Sequence, residues 1–308
     1  MITLSMKNDL RPQKHSIFMP TIVFDTNAYR NLAVLLAKHT EDDRDKIIST
    51  LKNKEVAAGF SKELNFWVVC ELLSHLADLA DTEYADCAEA LRIAFYHCSH
   101  KGMIKYSPAI EGEIAEFYES AEISGKYKHL FGVVIELAKE FLENGRSGHF
   151  EKLIPEIPIM VSTFKKQIES GYEAGKETLI VDRELKVLAK KDFKDEQAYK
   201  SILISILYNT MEKMPTKVMT EEQLDVFMDK YYYGLALASF VTGKTPGSSK
   251  FQNNMIDIAI CLRIGKSDDR LLITDDTGML KPFKDHNAVP EKAMPLGQYF
   301  DTLAFDPS

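Results

Sequence analysis

Short apolar runs rich in β-branched and aromatic residues alternate with stretches of helical periodicity near both ends of this chain. Ile22-Val23-Phe24 stops abruptly at Asp25, and Leu32, Leu35 and Leu36 follow at helical spacing. That predicts a strand, a turn, and a helix capped by Thr26 or Asn27 that runs to about Lys38. Val56 to Phe60 predicts a second, weak strand. Ser61 then opens a long helix to about Ala80, whose middle is apolar on every side and therefore buried. A further helix is expected over roughly Glu83 to His97, and a third strand over Met103 to Tyr106, ending at Ser107-Pro108.

From Ala109 to roughly Lys250 the pattern is almost wholly helical. Gly125, Gly145 to Gly148, Pro155, Pro158, Gly171, Gly175 and Pro215 punctuate it. Amphipathic segments cover Gly132 to Glu143, Thr178 to Ala189, Ala198 to Lys213 and Glu221 to Phe240. The loop Gly243 to Ser249 is the most flexible-looking piece. The alternating pattern then resumes with a helix from about Asn253 to Ile264, a strand Leu271 to Thr274, and a tail containing Pro282, Pro290 and Pro295. No internal repeat is evident. The expected organisation is a leader (1–19), an α/β domain in two parts (20–107 and 251–308), and a helical insertion between them (108–250). Alternating strand and helix predicts a parallel sheet, whose ligands bind beyond the carboxyl ends of its strands.

Four apolar runs carry a carboxylate. Asp25 closes the first, and Glu71 interrupts Phe66 to Cys70 and Leu72-Leu73. Asp257 interrupts Met255-Ile256 and Ile258-Ala259-Ile260, and Asp275-Asp276 close Leu271-Leu272-Ile273. Burying a lone ionised carboxylate costs several kcal/mol even after relaxation. No Lys or Arg adjoins the first three within their runs, so a divalent cation is the cheapest common partner. Asp25 and the Asp275-Asp276 pair fall at strand ends. Glu71 and Asp257 reach the same crevice from helices, with Asp257 expected in the first turn of a helix begun by Asn253 or Asn254, where backbone N–H groups favour negative charge. One or two Mg²⁺ or Mn²⁺ ions suit such oxygens and retain water. The plainer alternatives are a helix cap for Asp25, a turn for Asp275-Asp276, and buried ion pairs with distant basic residues for Glu71 and Asp257.

Composition bears on this in three ways. With 308 residues, 45% hydrophobic and 27% charged, the chain has the make-up of a soluble globular protein. No apolar stretch approaches the roughly 20 residues of a membrane span, and Lys7, Asp9, Arg11 and Lys14 interrupt the N-terminus where a signal peptide would be apolar. The cysteines Cys70, Cys87, Cys98 and Cys261 lie in apolar or helical segments without CxxC spacing, the pattern of reduced, packed thiols in a cytoplasmic protein. His97-Cys98-Ser99-His100 reads as the end of a helix rather than a zinc site. The net charge of −8 counts against gripping long duplexes by charge alone. It counts less against a small nuclease, because a carboxylate cluster itself adds negative charge.

In their order along the chain, these residues resemble the PIN-domain nucleases. The first motif of that family appears as Val23-Phe24-Asp25-Thr26-Asn27 and the second as Glu71-Leu72-Leu73. The third appears as Asp257-Ile258-Ala259 and the fourth as Leu272-Ile273-Thr274-Asp275-Asp276. The resemblance covers about residues 20–107 and 250–300. The helical middle is a departure from the family pattern. What the resemblance implies is a three-layer α/β/α sandwich around a central parallel sheet, with metal-dependent endonuclease activity, most often on single-stranded RNA and less often on DNA. It also implies a toxin-like or defence role, an inhibitory protein partner, and a possible homodimer.

By that pattern Asp25, Glu71, Asp257 and Asp276 are the catalytic and metal-holding acids, with Asp275 the position to exchange for Asp276. Thr26, Asn27, Thr274 and Asn254 would orient them, and Lys244 and Lys250 would touch a substrate backbone. One or two carboxylate-held ions activate water and neutralise phosphoryl charge without a His or Cys nucleophile. Two rival readings are a PIN-like module that binds RNA or a protein without cutting, and a metal-dependent phosphatase of small molecules. Gly243-Lys244-Thr245 lacks the leading glycine and strand of a P-loop. Lys165-Lys166 and Lys190-Lys191 read as solvated helix faces, with a role in guiding RNA as the lesser reading, and Tyr231-Tyr232-Tyr233 as core packing rather than a base-stacking platform. His75 and Asp78 share a helix face with Glu71 and read as ordinary packing and a surface carboxylate.

Overall fold

The computed structural model describes residues 20–100, 102–107, 113, 121–166, 203, 220–241, 249–285 and 291–307. The expected leader, the loop from Gly243 to Ser248, Lys190-Lys191 and the segments Thr178 to Ala189 and Ala198 to Lys213 lie outside these residues, Leu203 apart.

Strand β1 (Thr21–Phe24) buries Ile22, Val23 and Phe24 and runs into helix α1 (Thr26–Leu36). Helix α2 (Glu41–Ala57) follows, with its first turn capped by the Thr40 hydroxyl and rich in acids, which suit the positive helix end. Its buried stripe is only Ile48, Leu51 and Glu55. A stripe that narrow, with a glutamate in it, gives the sequence no apolar periodicity to read. The strand expected at Val56 to Phe60 is absent. Val56 and Ala57 end α2, and Gly59 takes the left-handed conformation (φ 79°). Its N–H bonds Val56 O (3.0 Å) while that of Phe60 bonds Glu55 O (2.9 Å), a Schellman closure that needs a glycine at this point.

The strand begins at Ser61 instead, where a helix start is expected, as β2 (Ser61–Lys62) and β3 (Leu64–Asn65). Asn65 then caps α3 (Phe66–His75) by accepting from the Trp67 N–H at 2.8 Å. Helix α4 (Tyr84–Cys98) matches expectation. The hairpin β4 (Ser99–His100) and β5 (Met103–Ile104) leads to β6 (Tyr106–Ser107). The helical middle supplies α5 (Ala121–Asn144), α6 (Gly148–Leu153), α7 (156–166) and α8 (Glu221–Val241). It is moored on α3 and on Leu76, the residue that caps that helix. Phe131 packs on Phe66 (5.5 Å between centroids), Phe164 stacks on Trp67 (3.6 Å), and an Arg146 Nη1 donates to Leu76 O (2.7 Å).

Helix α9 (Ser249–Cys261) begins before the expected Asn253. A Cβ on Gly234 of α8 would lie 2.5 Å from the Leu262 nitrogen, so only glycine permits this approach of α8 to the end of α9. Tyr231 and Tyr233 are buried on α8, as expected of core packing. Strand β7 (Arg270–Ile273), helix α10 (Thr277–Asp285), β8 (Ala293–Met294) and α11 (Leu296–Thr302) complete the chain.

Strands β2 and β3 are halves of one strand that changes neighbours at Glu63. The Glu63 N–H bonds Ile22 O of β1, while that of Leu64 bonds Lys105 O beside β6. Counted so, the sheet is five-stranded and parallel, in the order β6, β2/β3, β1, β7, β8. The chain builds outward from β1 in one direction and later returns to the other side at β7. The switch point of an open parallel sheet lies at such a reversal, and a crevice opens there beyond the strand ends. The residues that follow β1 and β7 are Asp25 and Thr274-Asp275-Asp276. Among the described residues no helix is long and apolar enough to cross a membrane.

Candidate functional site

Asp25 is 1% exposed and does cap α1: its Oδ1 accepts from the Ala28 N–H at 2.6 Å, in place of a cap by Thr26 or Asn27. Its Oδ2 accepts from the Thr274 hydroxyl at 2.6 Å. Capping and membership of an acidic group therefore coexist in one side chain. Burial pushes its carboxyl up to about 7 against the pull of those two hydrogen bonds, and repulsion from Glu71 and Asp276 adds to the rise.

Glu71 sits in the second turn of α3, and its Oε2 accepts from the Thr26 hydroxyl at 2.5 Å. Asp257 lies in the third turn of α9 rather than the first, because the helix starts at Ser249. The N-terminal field expected to favour its charge is therefore too distant. Enclosure by protein holds Asp257 well above the usual carboxylate range. Repulsion from Glu71, Asp276 and Asp25 adds to this, and the Lys165 ammonium opposes it. Asn254 lies one turn earlier, half-buried.

The two adjacent acids after β7 part company. Asp276 Oδ1 accepts from the N–H groups of Gly278 (2.6 Å) and Met279 (3.1 Å), capping α10, and its own N–H bonds Thr274 Oγ1 (3.0 Å). A Cβ at residue 278 would stand 2.9 Å from that Oδ1. Asp275 instead accepts from Asn31 Nδ2 (2.7 Å) and from the Leu296 N–H (2.7–3.2 Å being the normal range, here 3.0 Å), tying α1 to the start of α11.

Asn27, Glu71, Asp257 and Asp276 face one cavity of about 630 Å³. Arg30, Lys165 and Lys166 also line it; Lys166 is exposed and Lys165 half-buried, so the face expected to be solvated is also the one that borders the cavity. Nothing near them in sequence signals this, since their placement depends on how α7 docks on α3. Lys244 lies outside the described residues. Lys250 falls within α9, in a stretch whose side chains are not described.

At the rim His75 Nδ1 meets Asp81 (2.9 Å), and Arg30 pairs with Glu83 (2.7 Å). His75, Glu83 and Cys87 are the trio, among the described residues, whose potential ligand atoms lie within 4.8 Å of one another. Its members already have other commitments. Glu83 is held by Arg30, and burial pushes the Cys87 thiol up to about 12, far from the thiolate that binds metal. The four acids form no such group: no three of them bring carboxylate oxygens within 4.8 Å of one another. None of the four makes an ion pair within 4.0 Å to Lys, Arg or His among the described residues. Mutually repelling carboxylates, buried at Asp25 and half-buried at Glu71, Asp257 and Asp276, with no basic ion-pair partner among the described residues, make a donor set that fits a hard divalent cation.

His97 is buried at the end of α4, with Nε2 2.8 Å from Glu55 and Nδ1 3.2 Å from the Tyr29 hydroxyl, and the four cysteines are free and buried. Compared with known proteins, the chain matches no family model, no curated protein and no solved structure.

Proposed function

We propose that this chain is a PIN-like, Mg²⁺- or Mn²⁺-dependent nuclease that hydrolyses phosphodiester bonds at the carboxylate cavity, with single-stranded RNA as its preferred substrate. One observation carries this. Asp25, Glu71, Asp257 and Asp276 come from four separate segments, gather beyond β1 and β7 at the switch point of the sheet, and have no basic ion-pair partner within 4.0 Å among the described residues. The parallel five-stranded sheet supports the same reading, in which the helices would cover both its faces as a three-layer sandwich.

In this reading Glu71, Asp257 and Asp276 on the cavity wall, together with buried Asp25, would hold the cation. A cation bound there supplies the Lewis acidity that activates water and offsets charge on the phosphoryl oxygens. Thr274 and Thr26 fix the carboxylates of Asp25 and Glu71 by donating to them, which is how neighbouring groups orient metal-holding side chains. Asn27 lies beside them on the cavity wall.

A cavity of about 630 Å³ also falls within the range of small-molecule sites, roughly 300–1,000 Å³. That favours a small-phosphoester phosphatase as the second reading. Incubation of labelled single-stranded RNA, single-stranded DNA and a nucleoside monophosphate with Mn²⁺ or Mg²⁺ separates the two. Cleavage of a strand, abolished by EDTA and by Asp257→Asn, is expected. Release of inorganic phosphate from the mononucleotide alone would replace the nuclease with the phosphatase. Strand cleavage that Asp257→Asn leaves untouched would refute the site.

A further inference from the structure

We propose that helix α7 is the phosphate-gripping wall of the cavity, with Lys165 and Lys166 holding backbone phosphates of a single-stranded oligonucleotide against the four acids. The ligand class rests on the nuclease reading above; the grip itself rests on the placement of α7.

The residues of α7 that line the cavity are Pro158, Val161, Ser162, Lys165 and Lys166. Their spacing of three and four residues is that of one helix face. Phe164, off that face, is 6% exposed and stacks on Trp67 at 3.6 Å with an interplanar angle of 21°. Trp67 and Glu71 share helix α3, four residues apart and so on one side of it. The stack thus sets α7 opposite the acids and aims its lysines at them.

Neither lysine forms an ion pair within 4.0 Å among the described residues. Two uncommitted ammonium groups facing a carboxylate cluster across open space suit a polyanion between them. They balance phosphates that a chain of net charge −8 would otherwise repel. Lysine serves here as a point charge that follows a strand without reading its bases. The cavity is too small for a duplex, which leaves a strand or strand end.

The test is fluorescence anisotropy of a labelled six-nucleotide RNA at several salt concentrations, with Ca²⁺ present. The parent is compared with Lys165→Ala/Lys166→Ala, Lys165→Arg/Lys166→Arg, and Lys46→Ala on the far-exposed face of α2. Emission from Trp67, the single tryptophan, verifies that α7 remains docked in each. Loss of two phosphate contacts is expected to weaken binding about tenfold or more and to lower the log–log salt slope by about 1.4. The arginine pair should restore both, and Lys46→Ala should change neither.

Unchanged affinity and slope in the double alanine variant, or a parent that binds no strand, would overturn the proposal. Lysine-dependent binding without any metal-dependent cleavage would sink the nuclease reading and leave the grip standing. Cleavage that does not depend on the lysines would do the reverse.

Discussion

The Thr274 hydroxyl donates a 2.6 Å hydrogen bond to Oδ2 of Asp25, joining the ends of β1 and β7 across the switch point of the sheet. The bond favours the ionised form of Asp25 and so lowers its pKa. Thr274→Val removes it and should raise the carboxyl further above 7. Cation affinity, which requires the ionised acid, should then need a higher pH. Mn²⁺ titrations between pH 6 and 9 read this as an upward shift of the midpoint; an unchanged midpoint would show that the bond does not tune the site.

Asp25 also links stability to pH. Its carboxyl is raised from 3.8 to about 7, so the protonated form is favoured by folding. The corresponding stability is fully present below pH 3.8 and is lost as pH rises through about 7. At about 1.4 kcal/mol per unit the loss is at most about 4 kcal/mol. Asp25→Asn should therefore raise the thermal midpoint of metal-free protein at pH 7.5, by roughly 2–4 °C per kcal/mol recovered. Equal midpoints for variant and parent across pH 4–8 would contradict the strained carboxylate.

The buried carboxylate of Glu55 behaves in the opposite sense. It accepts from Tyr299 (2.8 Å) and Lys62 (2.8 Å) and meets His97 Nε2 (2.8 Å). Burial alone would raise its pKa, but His97 and Lys62 outweigh this and bring it down to about 2. Its stabilisation is present above about pH 4.5 and fades as pH falls through 2. Glu55→Ala leaves Lys62, His97 and Tyr299 without their shared acceptor. A loss of about 3–5 kcal/mol is expected in urea unfolding at pH 7, the usual cost of breaking a buried pair.

Asp275 and Asp276 should separate structure from function. Asp275→Ala deprives Asn31 and the Leu296 N–H of their acceptor and should cost about 1–3 kcal/mol, with cation affinity little changed. Asp276→Asn keeps an oxygen for the cap of α10 and should weaken cation binding about tenfold or more while stability holds. Denaturant unfolding and cation titration on the same two variants decide between them, and the reverse pattern would place Asp275 in the site.

The four acids were legible because each stands in an apolar run, where a carboxylate demands a partner. Helix and strand boundaries were less so. Val56 to Phe60 has strand-like residues, yet the Gly59 closure ends α2 there and defers the strand to Ser61. The start of α9 was misplaced because Asn253-Asn254 is a strong cap signal, whereas the helix begins at Ser249, about one turn earlier. A role for Lys165 and Lys166 in guiding RNA was legible only as the lesser reading, because their placement on the cavity is not written in the local sequence. Their face of α7 is chosen by the distant Phe164–Trp67 stack, and local periodicity does not report what a helix packs against.

The most direct measurement is calorimetric titration of Mn²⁺ into metal-free parent, Asp257→Asn, Asp276→Asn and Glu83→Gln at pH 7. Binding with proton release is expected in the parent, because a site holding Asp25 with a pKa of about 7 must shed its proton to take a cation. Binding should be lost or strongly weakened in both Asp variants and retained in Glu83→Gln. Binding indifferent to Asp257 and Asp276, or lost in Glu83→Gln, would contradict the four-carboxylate site and move the cation to the His75, Glu83 and Cys87 trio.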